Sequence, residues 1–261
     1  MKELEVAKKT ALEAGKLAMT YYKRNDLKVE DKGGFWQNYL TEVDKACEEL
    51  ISKELTHQFP EHGFIGEETF DNKKVNKEFV WIVDPIDGTK GFVNQTDNFA
   101  VHIGLARNGE AVLGVVYLPV YKKLFWAVKG KGAFLNGKRT YVSRRNTLKT
   151  MNMLTSTRAL HDKELKELTG KIPCKNKIAV DSAGVKAVAV AEGKNDITVF
   201  KSRGSAEWDI CAPAIIVEEA GGRVTDLNNK SLKFNTGKSY PHKGILITNN
   251  QIHEEIIEMV K

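Results

Sequence analysis

The sequence has few cysteines and lacks any long apolar run. Its three cysteines, Cys47, Cys174 and Cys211, are far apart and odd in number. This pattern fits neither a disulfide framework nor a zinc site built from close cysteine pairs. Nothing approaches the roughly 20 apolar residues of a membrane span, and lysines interrupt the N-terminal apolar residues, unlike a signal-peptide core. We therefore expect a cytoplasmic protein, in a reducing compartment, with no membrane partner.

A strong excess of one charge is also missing. The chain has 40 basic and 34 acidic residues, so its net charge of +6 comes from a surface of mixed sign. Such a surface attracts anions modestly. Short lysine pairs such as Lys122-Lys123 are not interleaved with the aromatic residues on which single-stranded nucleic acid stacks. The composition therefore predicts no nucleic-acid partner.

The first sixty residues have the periodicity of two helices. Apolar residues at helical spacing over residues 3–22 predict the first helix, and a second begins near Thr41. The glycine pair in Lys32-Gly33-Gly34-Phe35 predicts a loop between the two helices. We expect both helices to precede any strand.

After residue 80 the pattern changes to that of strands. The apolar run Val80–Val83 is typical of a buried strand. Asn108-Gly109 lies between two apolar stretches, and Asn136-Gly137 lies between residues 133–135 and 140–142. An Asn-Gly pair in this setting favours a two-residue hairpin. The middle of the chain is therefore predicted to be antiparallel sheet.

Beyond about residue 150 strands and helices alternate. The pattern predicts strands at 153–155, 177–180 and 197–200 and helices near Lys163 and at 183–192. This alternation is typical of α/β structure. The polar stretch at 143–146 marks a boundary, so we expect an α+β half at 1–145 and an α/β half at 146–261.

The most informative stretch is Asp84-Pro85-Ile86-Asp87-Gly88-Thr89, which follows the apolar strand. A proline turn aims both carboxylates the same way. Mg²⁺ prefers oxygen ligands, and two ions about 3.5–4 Å apart can share one carboxylate. Asp84 suits the shared position, and Asp87 and the Ile86 carbonyl suit single ions. Gly88 and Thr89 would open a helical turn that attracts phosphate. A turn with a helix-capping aspartate is the alternative.

Two further acidic loci are ambiguous when taken alone. Glu67-Glu68 follows a possible strand at 63–65, and exposed acidic pairs usually only contact solvent. Asp209 precedes a helix predicted from Ile210 to Ala220, with Pro213 in its first turn, and could simply cap it. Together the loci offer oxygen ligands without histidine or cysteine, which excludes zinc more firmly than it establishes magnesium. The six histidines form no cluster and are predicted to be surface or packing residues.

Three motifs in this order and spacing resemble the inositol monophosphatase superfamily of lithium-sensitive, magnesium-dependent phosphatases. They are GEE at 66–68, DPIDGT at 84–89 and WDICAPAIIVEEAGG at 208–222. With the N-terminal helices and Thr41–Asp44, the resemblance covers nearly the whole chain. It implies a mixed α+β and α/β fold, the layered αβαβα sandwich of the inositol monophosphatase and fructose-1,6-bisphosphatase type. It also implies a homodimer and two or three Mg²⁺ ions in each active site.

The resemblance further assigns roles to individual residues. Asp44 and Thr89, with Glu67, would orient the water that attacks phosphorus, and Glu68 would assist at the rim. The alternative for Asp44 is a helix capping box that starts at Thr41. The implied metal ligands are Glu67, Asp84, the Ile86 carbonyl, Asp87 and Asp209. The implied substrate contacts are Asp87, Gly88, Thr89, Lys186, Lys201 and Asp209.

Within the superfamily, residues 87–92 and 182–193 look most like the 3'(2'),5'-bisphosphate nucleotidases. These enzymes convert 3'-phosphoadenosine 5'-phosphate to AMP and phosphate, and the resemblance puts Lys186 and Lys201 near the second phosphate. Gly91 replaces a common glutamate, and Lys201 replaces a common arginine. An inositol monophosphatase or a sugar-phosphate phosphatase is therefore the alternative. An inactive protein that binds a phosphorylated ligand or nucleic acid is the alternative of a different class.

Overall fold

The computed structural model describes residues 1–24, 26–31, 39–202 and 204–261 of the protein. The predicted glycine loop at 32–35 lies outside the described residues. The helices are α1 Lys2–Tyr21, α2 Glu42–Gln58, α3 Thr89–Val93, α4 Lys163–Gly170, α5 Ala183–Ala191, α6 Glu207–Glu219 and α7 His253–Val260. The strands are β1 Val29–Asp31, β2 Tyr39–Thr41, β3 Gly63–Gly66, β4 Phe79–Asp87, β5 Ala100–Arg107, β6 Glu110–Leu118, β7 Lys123–Val128, β8 Gly132–Leu135, β9 Lys138–Arg139, β10 Asn152–Thr155, β11 Asn176–Ala179, β12 Ile197–Phe200, β13 Arg223–Thr225 and β14 Ile245–Thr248.

A seven-stranded sheet occupies the middle of the chain, in the order β3-β4-β5-β6-β7-β8-β9. Its pairs are antiparallel except β3 with β4. Both Asn-Gly pairs have positive φ, as a hairpin of mirror-image turn type requires. The strand after Asn136-Gly137 is Lys138–Arg139, so the prediction of residues 140–142 is wrong. Instead, the chain has left the sheet at Val142, whose backbone N–H donates to the Ala220 carbonyl at 3.0 Å.

The two N-terminal helices cover one face of this sheet. Every third or fourth residue of α1 is a buried small residue, which lets α2 approach closely; these residues are Ala7, Ala11, Ala14 and Ala18. A short antiparallel pair, β1 with β2, precedes α2. The prediction that both helices precede any strand is therefore wrong, because a three-residue strand is too short to show alternation.

A five-stranded sheet contains the C-terminal strands, in the order β11-β10-β12-β14-β13. Strand β10 is parallel to both β11 and β12, as the α/β pattern predicts, whereas β14 is antiparallel to β12 and β13. Helices α5 and α6 share one core with residues of both sheets, and α4 and α7 pack with the outer side of the five-stranded sheet. The layers are therefore α, β, α, β and α, as predicted. Because the shared core takes residues from both sides of residue 145, the division into halves stays a prediction.

Helix α6 begins three residues earlier than predicted. The Asp209 carboxylate accepts the backbone N–H of Ala206 at 2.6 Å and so caps the helix from its first turn. As a result Pro213 lies in the second turn rather than in the first, which corrects the prediction. Proline has no N–H to donate to the carbonyl four residues earlier, so the regular hydrogen bond to Asp209 is absent.

In the described part of the chain, no helix combines the length and the hydropathy needed to span a bilayer.

Candidate metal centre and active site

Three carboxylates converge where β4 ends and α6 begins. Asp84 and Asp87 lie at the end of β4, and the register with β5 shifts between them, so both side chains turn to one side. Each of them and Asp209 offers an oxygen atom within 4.8 Å of the others. Asp84 and Asp87 are buried, with exposed fractions of 1% and 5%. The structure thus brings together three of the predicted metal ligands.

Burial and neighbouring charges both act on the carboxyl group of Asp84. Burial raises its pKa well above the usual range, and the nearby charges of Glu67, Asp87 and Asp209 raise it further. Burial and the charge of Asp87 also raise the pKa of Asp209. Among the described residues, none donates a hydrogen bond to Oδ1 of Asp84. Because buried like charges are costly without a counter-charge, the cluster fits a bound cation.

Asp87 has a second role at the start of α5. Its carboxylate accepts the backbone N–H groups of Ala183 at 3.0 Å and Gly184 at 2.6 Å, and the Ser182 hydroxyl. Burial acts to raise the pKa of Asp87, but His102 and then Ser182 outweigh it, so the pKa is lowered. The same aspartate therefore faces the cluster and caps a helix.

His102 is a site residue that sequence reasoning missed. It is fully buried, and its Nε2 lies 3.3 Å from Oδ2 of Asp87. Its Nδ1 lies 3.4 Å from the carbonyl oxygen of Trp208. The histidine was predicted to be a surface or packing residue, because no spacing rule connects it to the aspartates. The connection is the register of β5 against β4, in which His102 is the partner of Asp84.

Asp44 and Thr89 are adjacent, as the resemblance implies. The Thr89 hydroxyl oxygen is 2.9 Å from Oδ1 of Asp44 and 3.1 Å from the Ile86 carbonyl oxygen. The predicted capping box is also present, since Oδ2 of Asp44 accepts the Thr41 backbone N–H at 2.7 Å. Burial raises the pKa of Asp44 to about 6. A carboxylate with this pKa can take up a proton near neutral pH.

The two glutamates follow β3 beside the cluster. The backbone N–H of Glu67 donates to the Val83 carbonyl at 3.1 Å, and that of Glu68 donates to Oε2 of Glu48 at 2.8 Å. Glu48 is 2% exposed, and a Cβ at Gly66 would lie 2.4 Å from its carboxyl carbon. Glycine at position 66 therefore leaves room for a buried carboxylate below the loop. Sequence reasoning missed Glu48; the signal was its position one turn after Asp44 on α2.

A cavity of about 500 Å³ opens over the cluster. Asp44 and Glu68 are not among the described residues that line it, although Asp44 contacts the lining residue Thr89. The other predicted site residues all line it: Glu67, Asp84, Ile86, Asp87, Gly88, Thr89, Lys186, Lys201 and Asp209.

Three cations, Arg158, Lys186 and Lys201, here named the basic wall, also line the cavity, together with the carboxylates Asp162, Glu164 and Asp181. Lys186 is 1% exposed, and its Nζ donates to the carbonyls of Val180 at 2.9 Å and Asp181 at 3.1 Å. Burial lowers its pKa to about 8. Lys201 pairs with Asp162 at 2.6 Å and with a second carboxylate, Glu164, at 3.3 Å. Both lysines therefore face the cavity while bound to acceptors of the protein.

The donor set fits magnesium. Asp84, Asp87 and Asp209 offer only carboxylate oxygens, Asp84 has an unsatisfied buried oxygen among the described residues, and Glu67 contributes to the local negative charge. Hard divalent cations prefer such ligands, whereas zinc and copper sites usually include histidine or cysteine.

Comparison with known proteins identifies the family of the chain. The model of the Inositol monophosphatase family matches residues 2–261. An inositol-1-monophosphatase of Caulobacter vibrioides is 33% identical over 272 residues, which cover 99% of each chain. A fructose-1,6-bisphosphatase/inositol-1-monophosphatase of Thermotoga maritima is 33% identical over 260 residues, covering 100% of this chain and 96% of the relative. A solved structure of an IMPase from Thermotoga maritima superposes with a TM-score of 0.87 at 31% identity, covering 100% of this chain and 97% of that one. The chain therefore belongs to the inositol monophosphatase family and is a metal-dependent phosphatase.

Proposed function

We propose that the protein hydrolyses the phosphate ester of a small polyol or sugar, with inositol 1-phosphate as the first candidate substrate. The observation that carries the proposal is the cluster of Asp84, Asp87 and Asp209, which lines a cavity of about 500 Å³. Relatives named inositol-1-monophosphatase, at 33% identity over nearly the whole chain, support this substrate class over the nucleotide bisphosphate.

Mg²⁺ is the proposed cofactor, held by Glu67, Asp84, the Ile86 carbonyl, Asp87 and Asp209. When bound, it would lower the pKa of a water molecule and neutralise the phosphate oxygens. In the chain itself, Asp44 holds the Thr89 hydroxyl at 2.9 Å. We assign to this pair the positioning of the attacking water and the uptake of its proton. Glu67 would support the same step, and Glu68 would assist from the rim of the metal site.

The substrate would lie between the two walls of the cavity. Gly88 precedes and Thr89 begins the five-residue helix α3 beside the aspartates, where their backbone N–H groups can face a phosphate oxygen. The carboxylates of Asp87 and Asp209 would accept hydrogen bonds from hydroxyl groups of the polyol. Neutral hydroxyls suit these carboxylates better than a second phosphate does, because like charges repel.

A 3'(2'),5'-bisphosphate nucleotidase is the second candidate, and one observation favours it. Arg158, Lys186 and Lys201 all line the same cavity as the aspartates. Basic side chains in such a place can bind a second phosphate. Asp162 and Glu164 already engage Lys201, however, and this weakens its attraction for another anion.

Measuring phosphate release distinguishes the candidate substrates directly. Inositol 1-phosphate, fructose 1,6-bisphosphate and 3'-phosphoadenosine 5'-phosphate are compared at equal concentration, with Mg²⁺ and with EDTA. We expect the highest kcat/KM with the inositol ester and none of the activity in EDTA. A preference for the nucleotide would replace our proposal by the second candidate. No release from any ester would favour an inactive protein that binds phosphorylated ligands or nucleic acid.

Four further properties are predictions from the family resemblance. They are two or three Mg²⁺ ions in each site, inhibition by lithium, a homodimer and a cytoplasmic location. Sedimentation of the purified protein tests the homodimer, and phosphate release in the presence of LiCl tests the inhibition.

A further inference from the structure

Two segments that carry predicted ligands are joined by a third segment. Glu67 begins the loop of residues 67–78, here named the acidic loop, and Asp209 lies in the first turn of α6. Residues 233–240, here named the strap, contact both of them. We propose that Glu207, Asn235 and Thr236 are positioning residues that set the affinity of the site for Mg²⁺. This inference rests on the metal centre proposed above.

On the side of α6, a buried carboxylate holds the strap. Glu207 is 2% exposed and accepts the backbone N–H groups of Asn235 at 2.6 Å and Thr236 at 2.9 Å. It also accepts the Thr236 hydroxyl, and its own N–H donates to the Ser239 carbonyl at 3.1 Å. Hydrogen bonds to a carboxylate are among the stronger ones. The strap is therefore fixed to the turn of helix that contains Asp209.

On the side of the acidic loop, one side chain binds the backbone at two points. Asn235 is 4% exposed; its Oδ1 accepts the N–H of Val75, and its Nδ2 donates to the carbonyl of Val75, both at 2.8 Å. Nearer to Glu67, the ring of Phe70 packs edge-on against that of Trp208, with centroids 5.3 Å apart. The loop is thus held to α6 at two places.

This arrangement matters because Mg²⁺ demands near-octahedral geometry with short metal–oxygen distances. Glu67 and Asp209 belong to segments that are distant in the sequence, so their separation depends on contacts between those segments. Groups behind the ligands commonly hold them in place, and their loss lowers metal affinity about 10- to 100-fold. Loosening the strap should therefore weaken Mg²⁺ binding although every ligand is still present.

The test is calorimetric titration of Mg²⁺ into the purified protein and into the variant Asn235→Gly. Asn235 has φ +55°, in the left-handed region, which glycine adopts freely, so the variant removes the side chain without straining the backbone. Asn229→Gly is the matched control, because Asn229 has φ +62° and its side chain also makes two bonds, to Arg223 and Glu254. We expect Kd for Mg²⁺ to rise about tenfold in Asn235→Gly and less than about twofold in the control.

A second pair of variants removes one bond of the strap. Thr236→Val lacks the hydroxyl that Glu207 accepts, whereas Thr236→Ser keeps it. We expect weaker Mg²⁺ binding in the valine variant and recovery in the serine variant. If Asn235→Gly fails to fold, the difference in Mg²⁺ affinity between Thr236→Val and Thr236→Ser tests the inference. Equal Mg²⁺ affinity in Asn235→Gly and in the wild type, or equal loss in both glycine variants, would overturn the inference. A wild-type protein that binds no Mg²⁺ would instead refute the metal centre itself.

Discussion

The two walls of the cavity handle charge in opposite ways. The acidic wall holds carboxylate oxygens of Asp84, Asp87 and Asp209 within 4.8 Å of one another, and Asp84 and Asp87 are buried. On the basic wall, Lys186 donates to backbone carbonyls and Lys201 pairs with carboxylates. Burial and like charges raise the pKa of Asp84 and of Asp209 on the acidic wall, whereas Lys186 and Lys201 on the basic wall have acceptors within the protein. This difference is the reason why we propose the acidic wall as the cation site and the basic wall as the part of the cavity that selects the substrate.

The largest expected effects are those of substituting the two aspartates of β4, Asp84 and Asp87. Asp84→Asn and Asp87→Asn should each lower kcat/KM by about 10²-fold or more, because each removes a negatively charged ligand of the proposed Mg²⁺. Their effects on unfolding without metal should have opposite signs. Asp84→Asn relieves repulsion and should raise the thermal midpoint in EDTA. Asp87→Asn weakens the bonds to Ala183 and Gly184 and should cost about 1–3 kcal/mol.

Calorimetric unfolding in EDTA and phosphate release in Mg²⁺ check both statements. The control is Asp71→Asn, an exposed aspartate that pairs with Lys73. An Asp84→Asn variant that is less stable than the wild type without metal would contradict the repulsion. Full activity in either variant would contradict the proposed ligands.

Next in size is the effect of the hydroxyl that connects the acidic wall to Asp44. Thr89→Val removes the group that lies 2.9 Å from Asp44, and Thr89→Ser retains it. We expect kcat to fall about 10²-fold in the valine variant, with KM changed less than about threefold, and serine to recover most of it. Steady-state kinetics with inositol 1-phosphate provide both constants. Equal rates in the valine and serine variants would remove Thr89 from the mechanism.

The basic wall should affect selectivity rather than rate. Lys201→Met removes a cation that Asp162 and Glu164 already engage. We expect kcat/KM for the nucleotide bisphosphate to fall about tenfold and that for inositol 1-phosphate to change less than about threefold. Lys163→Met, at a lysine 92% exposed, is the control. An equal loss with both substrates would mean that Lys201 does not distinguish them.

The smallest effect concerns stability, away from both walls. His253 is buried between the hydroxyls of Thr225 and Thr248, and burial lowers its pKa to about 4 from an ordinary value of about 6.5. Between these values the unfolded chain binds a proton that the folded chain does not, so stability falls as pH falls from 6.5 to 4. From pH 7 to pH 5 this histidine should account for about 2 kcal/mol. Urea unfolding at both pH values should therefore show a smaller loss in His253→Gln; an equal loss would contradict the lowered pKa.

The sequence was sufficient for much of the fold. Residues at 3.6-residue spacing located the long helices, and Asn108-Gly109 located a hairpin, because these signals are local. Three errors in the predicted elements have identifiable causes. The start of α6 was misplaced because Asp209 caps the helix from inside its first turn. Strand β9 was misplaced because Val142 bonds to Ala220, a contact that only the tertiary structure shows. The β1–β2 pair is too short for its alternation to be recognised.

For the site, motif order identified residues that the structure brings to one cavity, but it did not identify the residues behind them. His102 and Glu48 contact the predicted site through strand register and a helix face. Glu207 and Asn235 meet across 28 residues of sequence, and nothing in either neighbourhood indicates the contact. The branch of the superfamily was harder to predict than the site, because that prediction depended on Lys186 and Lys201. Their partners, two carbonyls and two carboxylates, cannot be read from the sequence alone.

The most direct test of the central claim is a crystal structure of the protein soaked with Mn²⁺, a cation that scatters anomalously and substitutes for Mg²⁺. We predict anomalous peaks within bonding distance of the carboxylates of Asp84, Asp87 and Asp209, and their loss in Asp84→Asn crystals. Peaks elsewhere, or no peak at this cluster at saturating Mn²⁺, would contradict the assignment of the acidic wall as a metal centre.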